Sequence, residues 1–153
     1  MLVMKILTFV LMALAMAGGG KFKVTESTSQ EWVGGLQQSG YGTDYMLVMK
    51  VKAGFDKLQI DELWVGDLRL PARAVTDLKD MSTKNFKKND IVYVRAGVTW
   101  KPDQDGQMRV VAGEKKDKPV DYKGEGLIGY TYKGKRGYEV ITSFKVLEKI
   151  IYP

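Results

Sequence analysis

The residues best placed to do chemistry in this chain are aromatic rings set among cations near its C-terminus. Tyr130, Tyr132, Lys135, Arg136 and Tyr138 bracket one basic turn, Lys133-Gly134-Lys135-Arg136-Gly137, and Trp100 stands beside Lys101 in an expected loop. Rings beside cations could grip a sugar ring, a nucleobase or an anionic headgroup. The competing reading is architectural: cross-strand tyrosines stabilise a hairpin while Lys and Arg solvate its tip. A second constellation is Pro102-Asp103-Gln104-Asp105-Gly106, where carboxylates on alternate residues followed by Gly resemble the first half of a calcium loop. The bidentate Glu that should close such a loop is missing, so a plain Asp-Gly turn competes with calcium at Asp103 and Asp105, and no metal or other cofactor is expected.

The composition removes more chemistry than it offers. With no His and no Cys, the chain has no Ser-His-Asp or Cys-His catalysis, no histidine base and none of the usual zinc, copper or iron sites. Carboxylate chemistry is what remains. A pair such as Asp61 and Glu62 is not a candidate from sequence, because neighbouring strand residues point to opposite faces. The expectation is a protein that is not an enzyme, with no catalytic residues.

These residues must be positioned by strands. The hairpin Glu125 to Tyr132 and Tyr138 to Leu147 is read as a spine, with Tyr138, Val140, Phe144 and Val146 on one face of its second strand. Tyr45 to Val51 reads as a central strand covered on both faces, after a turn at Ser39 to Asp44. Ile91 to Val98 buries Val92, Val94, Ala96 and Val98. From Phe55 to Val65 the apolar parity slips across Asp61-Glu62, the mark of a bulge; Gly66-Asp67 suits a type II′ hairpin turn. Pro71 places the returning strand, Leu68 to Val75, at an edge or in one-sided pairing. Gly34-Gly35 marks a bulge or a close backbone approach, and Thr76 to Asn89 is a loop or one short helix. Eight or nine strands without alternating helices predict an all-β fold, an antiparallel β-sandwich that is immunoglobulin-like in the loose sense, with a small β-barrel as the alternative.

Residues 1–17 read as a signal peptide. Lys5 is followed by the apolar run Ile6 to Ala15 and the small-x-small site Ala15-Met16-Ala17. The run is too short for a bilayer, so no transmembrane segment is expected after cleavage. Residues 18–153 form a single β-rich domain. The 153-residue chain has 24 Lys and Arg against 18 Asp and Glu; losing Lys5 with the leader leaves a surplus of five positive charges. Such a basic, cysteine-free domain suits acidic surfaces, although Lys residues spread along a chain also serve to solvate and protect sheet edges.

Trp32-Val33-Gly34-Gly35, Ser39-Gly40-Tyr41-Gly42-Thr43-Asp44-Tyr45, Leu63-Trp64-Val65-Gly66-Asp67 and Gly129-Tyr130-Thr131-Tyr132-Lys133-Gly134-Lys135-Arg136, taken together, resemble small exported proteins common in Bacteroidota. The resemblance spans most of the domain, implies export and a β-rich fold, and transfers no functional residue. The expected function is a non-catalytic exported binding or accessory module of the bacterial cell envelope, periplasmic or extracellular. Its expected partner is a protein, a glycan or an anionic envelope surface, not nucleic acid. Two alternatives stand beside it: a small barrel carrying an apolar or lipid ligand, for which the Met-rich strand Tyr45 to Val51 could line an adaptable cavity, and a carboxylate-dependent glycan hydrolase.

Overall fold

The computed structural model describes residues 20–153; the leader read at residues 1–17 lies outside them. Two sheets face each other, and the fold of the described residues is all-β. The first is built on three long antiparallel strands, β1 (Phe22–Val33), β2 (Tyr41–Val51) and β6 (Ile91–Pro102). β5 (Arg73–Val75) and β7 (Met108–Ala112) extend it beyond β6, and β11 (Lys145–Val146) and β12 (Ile150–Ile151) run parallel to β1 on the other side. The second sheet has the order β10-β9-β3-β4-β8, from β3 (Leu58–Val65), β4 (Leu68–Pro71), β8 (Glu114–Lys115), β9 (Gly126–Tyr132) and β10 (Lys135–Ile141). Among the described residues no strand pairs from one sheet to the other, so the fold is a sandwich and the barrel alternative is set aside. No helix among them is long and apolar enough to cross a membrane.

The core lies between the sheets and follows the period of two. Leu47, Met49 and Val51 of β2 and Val92, Val94 and Val98 of β6 meet Leu58, Ile60 and Leu63 of β3 and Ile128 of β9. β2 is central, between β1 and β6, but it is covered on one face only: Met46 and Val48 are half-exposed on the other. The bulge falls where parity slips, between Ile60 and Glu62, and returns Leu63 to the inner face. Gly66 takes φ +60, as the first central residue of a type II′ turn requires. Pro71 pairs with Glu62 alone, its other side unpaired, and past Ala72 the chain leaves β4 for β5 in the other sheet.

Two further expectations need correction. The stretch Ser39 to Asp44 is not a turn, because β2 begins at Tyr41 and the chain reverses earlier, in the 3₁₀ turn Gln37–Ser39. Gly42 serves close approach: a Cβ there would lie 2.8 Å from the Trp32 ring. The second hairpin strand does not run to Leu147. It ends at Ile141, and the chain crosses to β11. Ile141 and Phe144 differ by an odd number of positions, so one continuous strand would put them on opposite faces; the break buries both, with the Phe144 ring 5.0 Å from Tyr45. Of the two readings of Thr76 to Asn89, the structure shows the loop, pinned by buried Phe86.

Candidate functional site

The register of the C-terminal hairpin fixes which residues of the aromatic patch can meet. Lys133 and Gly134 take φ 48 and 79, a two-residue type I′ turn, and set Tyr132 opposite Lys135, Tyr130 opposite Gly137 and Tyr138 opposite Gly129. Tyr130 therefore faces inward and Tyr138 outward. Tyr130 is buried edge-on against Phe22 at 5.2 Å, and burial pushes its hydroxyl pKa up. Gly137 leaves room for this ring, since a Cβ there would stand 2.5 Å from it. Tyr132 sits half-buried on the same face as Tyr130, with Lys21 Nζ 5.1 Å and Lys133 Nζ 5.3 Å from its ring centre. Lys135 is exposed beside it. Arg136 and Tyr138 share the outer face, the guanidinium 5.6 Å from the ring centre. Trp100 belongs to β6 in the other sheet, opposite Tyr41, and packs half-buried against the core. The six residues do not converge on one surface.

Arg136 instead anchors a charge network on the outer face of the second sheet. Because Asp61 is the extra residue of the bulge, it and Glu62 both reach the same guanidinium: Arg136 Nη1 donates to Asp61 Oδ1 at 2.7 Å and Nη2 pairs with Glu62 Oε1. Arg69 Nε donates to Glu62 Oε2 at 2.6 Å, so both oxygens of a buried carboxylate are held by arginines. Gly129, between them on β9, makes the space; a Cβ would fall 2.5 Å from Glu62 Oε1 and 2.6 Å from Arg136 Nη2. Burial alone would raise the Glu62 pKa, but the hydrogen bonds from Arg136 and Arg69 outweigh it and hold the carboxyl below its ordinary value. The pair Asp61 and Glu62 is thus a clamp joining β3, β4 and β10 across β9. A carboxyl held ionised in this way is poorly suited to the proton-donating half of an acid–base couple.

At the β6–β7 turn, Asp103 Oδ1 accepts the backbone N–H groups of Asp105 and Gln107, both at 2.9 Å, and Oδ2 accepts from Arg109 at 2.8 Å. These bonds, the Arg109 one foremost, lower the Asp103 pKa. With Gly106 at φ +78 this is an Asp-Gly turn that uses the Asp103 carboxylate itself. Among the described residues no three acidic, His or Cys side chains are grouped to hold a metal.

The feature that strand-by-strand reading missed lies on the outer face of the first sheet. Arg73 of β5 and Arg95 of β6 stand directly opposite each other, both exposed, and line a cleft of about 270 Å³ with Asp44, Pro71, Met81 and Gly97. Asp44 is opposite Gly97 on the same face. Each arginine is legible from sequence as an outward residue of its strand. Their pairing is not.

No protein-family model matches the chain, and neither a curated protein nor a solved structure matches it at a significant level.

Proposed function

We propose that the protein is a non-catalytic exported module of the bacterial cell envelope, periplasmic or extracellular, that holds an acidic partner on the outer surfaces of its sandwich. The observation that carries this reading is the filled interior. Leu47, Met49, Leu58, Leu63, Val92 and Ile128 are each exposed by 1% or less and interlock between the sheets, so a partner is met from outside. The same packing weighs against the apolar carrier, since Met49, the inward-facing methionine of the expected cavity strand, is wholly buried in the core. The hydrolase loses its nearest carboxylate pair to the arginine clamp. Export is supported by the leader pattern of residues 1–17 and by the resemblance to small exported proteins; the surplus of cations supports an anionic envelope surface or glycan as partner.

The test has two parts. Mass spectrometry of protein recovered from fractionated bacteria should find the N-terminus near Gly18, in the periplasm or medium. Protein purified from that fraction should sediment with vesicles containing anionic lipid or with acidic envelope polymer, and should be released as salt screens the charges. An uncleaved chain confined to the cytoplasm would defeat the export half. Sedimentation with neutral vesicles alone, or with none of these surfaces, would defeat the binding half.

A further inference from the structure

We propose that the cleft between Arg73 and Arg95 binds the oxyanion of a hydroxylated ligand, an acidic sugar held through its carboxylate or phosphate group. Like charges directly opposite on neighbouring strands repel, and sheets place opposite charges there instead. Here two guanidinium groups occupy such a pair, and neither forms an ion pair with any described carboxylate. Two planar forks on one face match a carboxylate or phosphate bidentately, and a bound anion would remove the repulsion. Asp44 stands across the cleft beside Arg95 without neutralising it. An anionic ligand alone would be opposed by that carboxylate. A ligand that also carries hydroxyl groups donates to it, which is what selects a sugar acid over a bare ion.

Gly97 keeps the place open. A Cβ there would lie 3.0 Å from Asp44 Oδ1, so any side chain would press on that carboxylate and fill the floor. Met81, from the loop after β5, and Pro71 supply apolar wall for the face of a ring. The inference rests on the binding-module reading only in that the ligand is held and not converted.

The test is a titration of the purified protein with glucuronate, glucose 1-phosphate, acetate, inorganic phosphate and glucose, followed by backbone amide NMR. Saturable shifts centred on Arg95 and Gly97 are expected with glucuronate, glucose 1-phosphate or both, and which of the two responds names the oxyanion. Acetate, phosphate and glucose should bind at least about tenfold more weakly, the loss expected when a charge-assisted hydrogen bond is removed. Arg95→Ala and Arg73→Ala, both exposed and expected to fold, should each weaken binding by about tenfold or more, and Arg95→Lys should restore it only in part. Asp44→Asn should narrow the gap between glucuronate and acetate. The site is overturned if neither sugar acid gives saturable shifts there, or if both arginine variants bind as the parent does. Acetate binding as tightly as glucuronate would overturn the role of Asp44. A ligand recovered chemically altered would instead overturn the non-catalytic reading while leaving the site standing.

Discussion

Replacing Glu62 by Gln keeps the shape of the side chain and removes the charge that two arginines share, which makes it the sharpest test of the outer-face clamp. Two charge-assisted hydrogen bonds are at stake, worth about 1.5–3 kcal/mol each when buried. The Glu62 side chain is 6% exposed, but Arg69 and Arg136 are 31% and 32% exposed, so water recovers part of the loss on the arginine side. A net destabilisation of roughly 2–4 kcal/mol is expected, somewhat below the roughly 3–5 kcal/mol seen when one partner is removed from a fully buried pair. For a domain of this size the unfolding entropy is about 0.3 kcal/mol/K, so the melting temperature should fall by roughly 7–14 °C. The exposed pair of Arg109 and Asp103 supplies the contrast: Arg109→Ala should leave the melting temperature nearly unchanged. The pH dependence has a definite sign. The folded pKa of Glu62 lies below its ordinary value of 4.5, so the clamp's contribution is complete above that value and is lost as pH falls through the folded pKa. Urea unfolding of parent and Glu62→Gln at a series of pH values should therefore show a gap that is full near neutrality and closes in acid. Equal midpoints at neutral pH, or a gap that persists undiminished below the folded pKa, would refute the argument.

Glu139 should behave in the opposite sense. It lies opposite Ile128 on the inner face, its Oε2 is buried without a hydrogen-bond partner, and burial raises its pKa. The fold thus prefers the neutral carboxyl, and stability declines as pH rises from the ordinary value of 4.5 toward the raised one. Glu139→Gln should raise the melting temperature at neutral pH and lose that advantage in acid, and a variant less stable than the parent at neutral pH would contradict this. Gly129→Ala should destabilise by roughly 1–3 kcal/mol, read in urea, because its methyl must displace Glu62 or Arg136; a neutral result would mean the clamp has slack. Lys133→Asn should stabilise by a few tenths to about 1 kcal/mol, since Asn tolerates the positive φ of the first turn residue better, and a lower melting temperature would count against the type I′ assignment.

What could be read from the sequence was local. Alternation identified the inner face of β6, the parity slip located the bulge at Asp61, and Gly66-Asp67 and Pro71 announced their turn and their one-sided pairing. What could not be read depends on partners far along the chain. Gly34-Gly35 signalled a close approach, but not that Ser39 makes it at Gly34 and Pro153 at Gly35. The same limit governed the tyrosines. Tyr130 and Tyr132 do share a face, as their spacing requires, yet whether it faced solvent or core depended on the hairpin register and on Phe22 waiting in the opposite sheet. Divergence of strand neighbours argues against pairing Asp61 with Glu62, yet the bulge predicted at that very point is the device that lets both reach Arg136.

The two arginines of the cleft put the same limit to use. Arg73 alone has a sufficient explanation without a ligand, because β5 ends the path of the first sheet at that side and a charge on an edge strand discourages further pairing. Arg95 does not. It lies on β6 between β2 and β5, where every strand partner is already in place and an edge charge has nothing to prevent. Solvation would account for its exposure but equally for a lysine or a glutamate, and glutamate would have paired with Arg73 instead of repelling it. The sequence therefore bears a repulsive choice at a position with no edge to protect, facing a carboxylate with which it forms no ion pair. A ligand carrying both an oxyanion and hydroxyl groups accounts for all three residues at once.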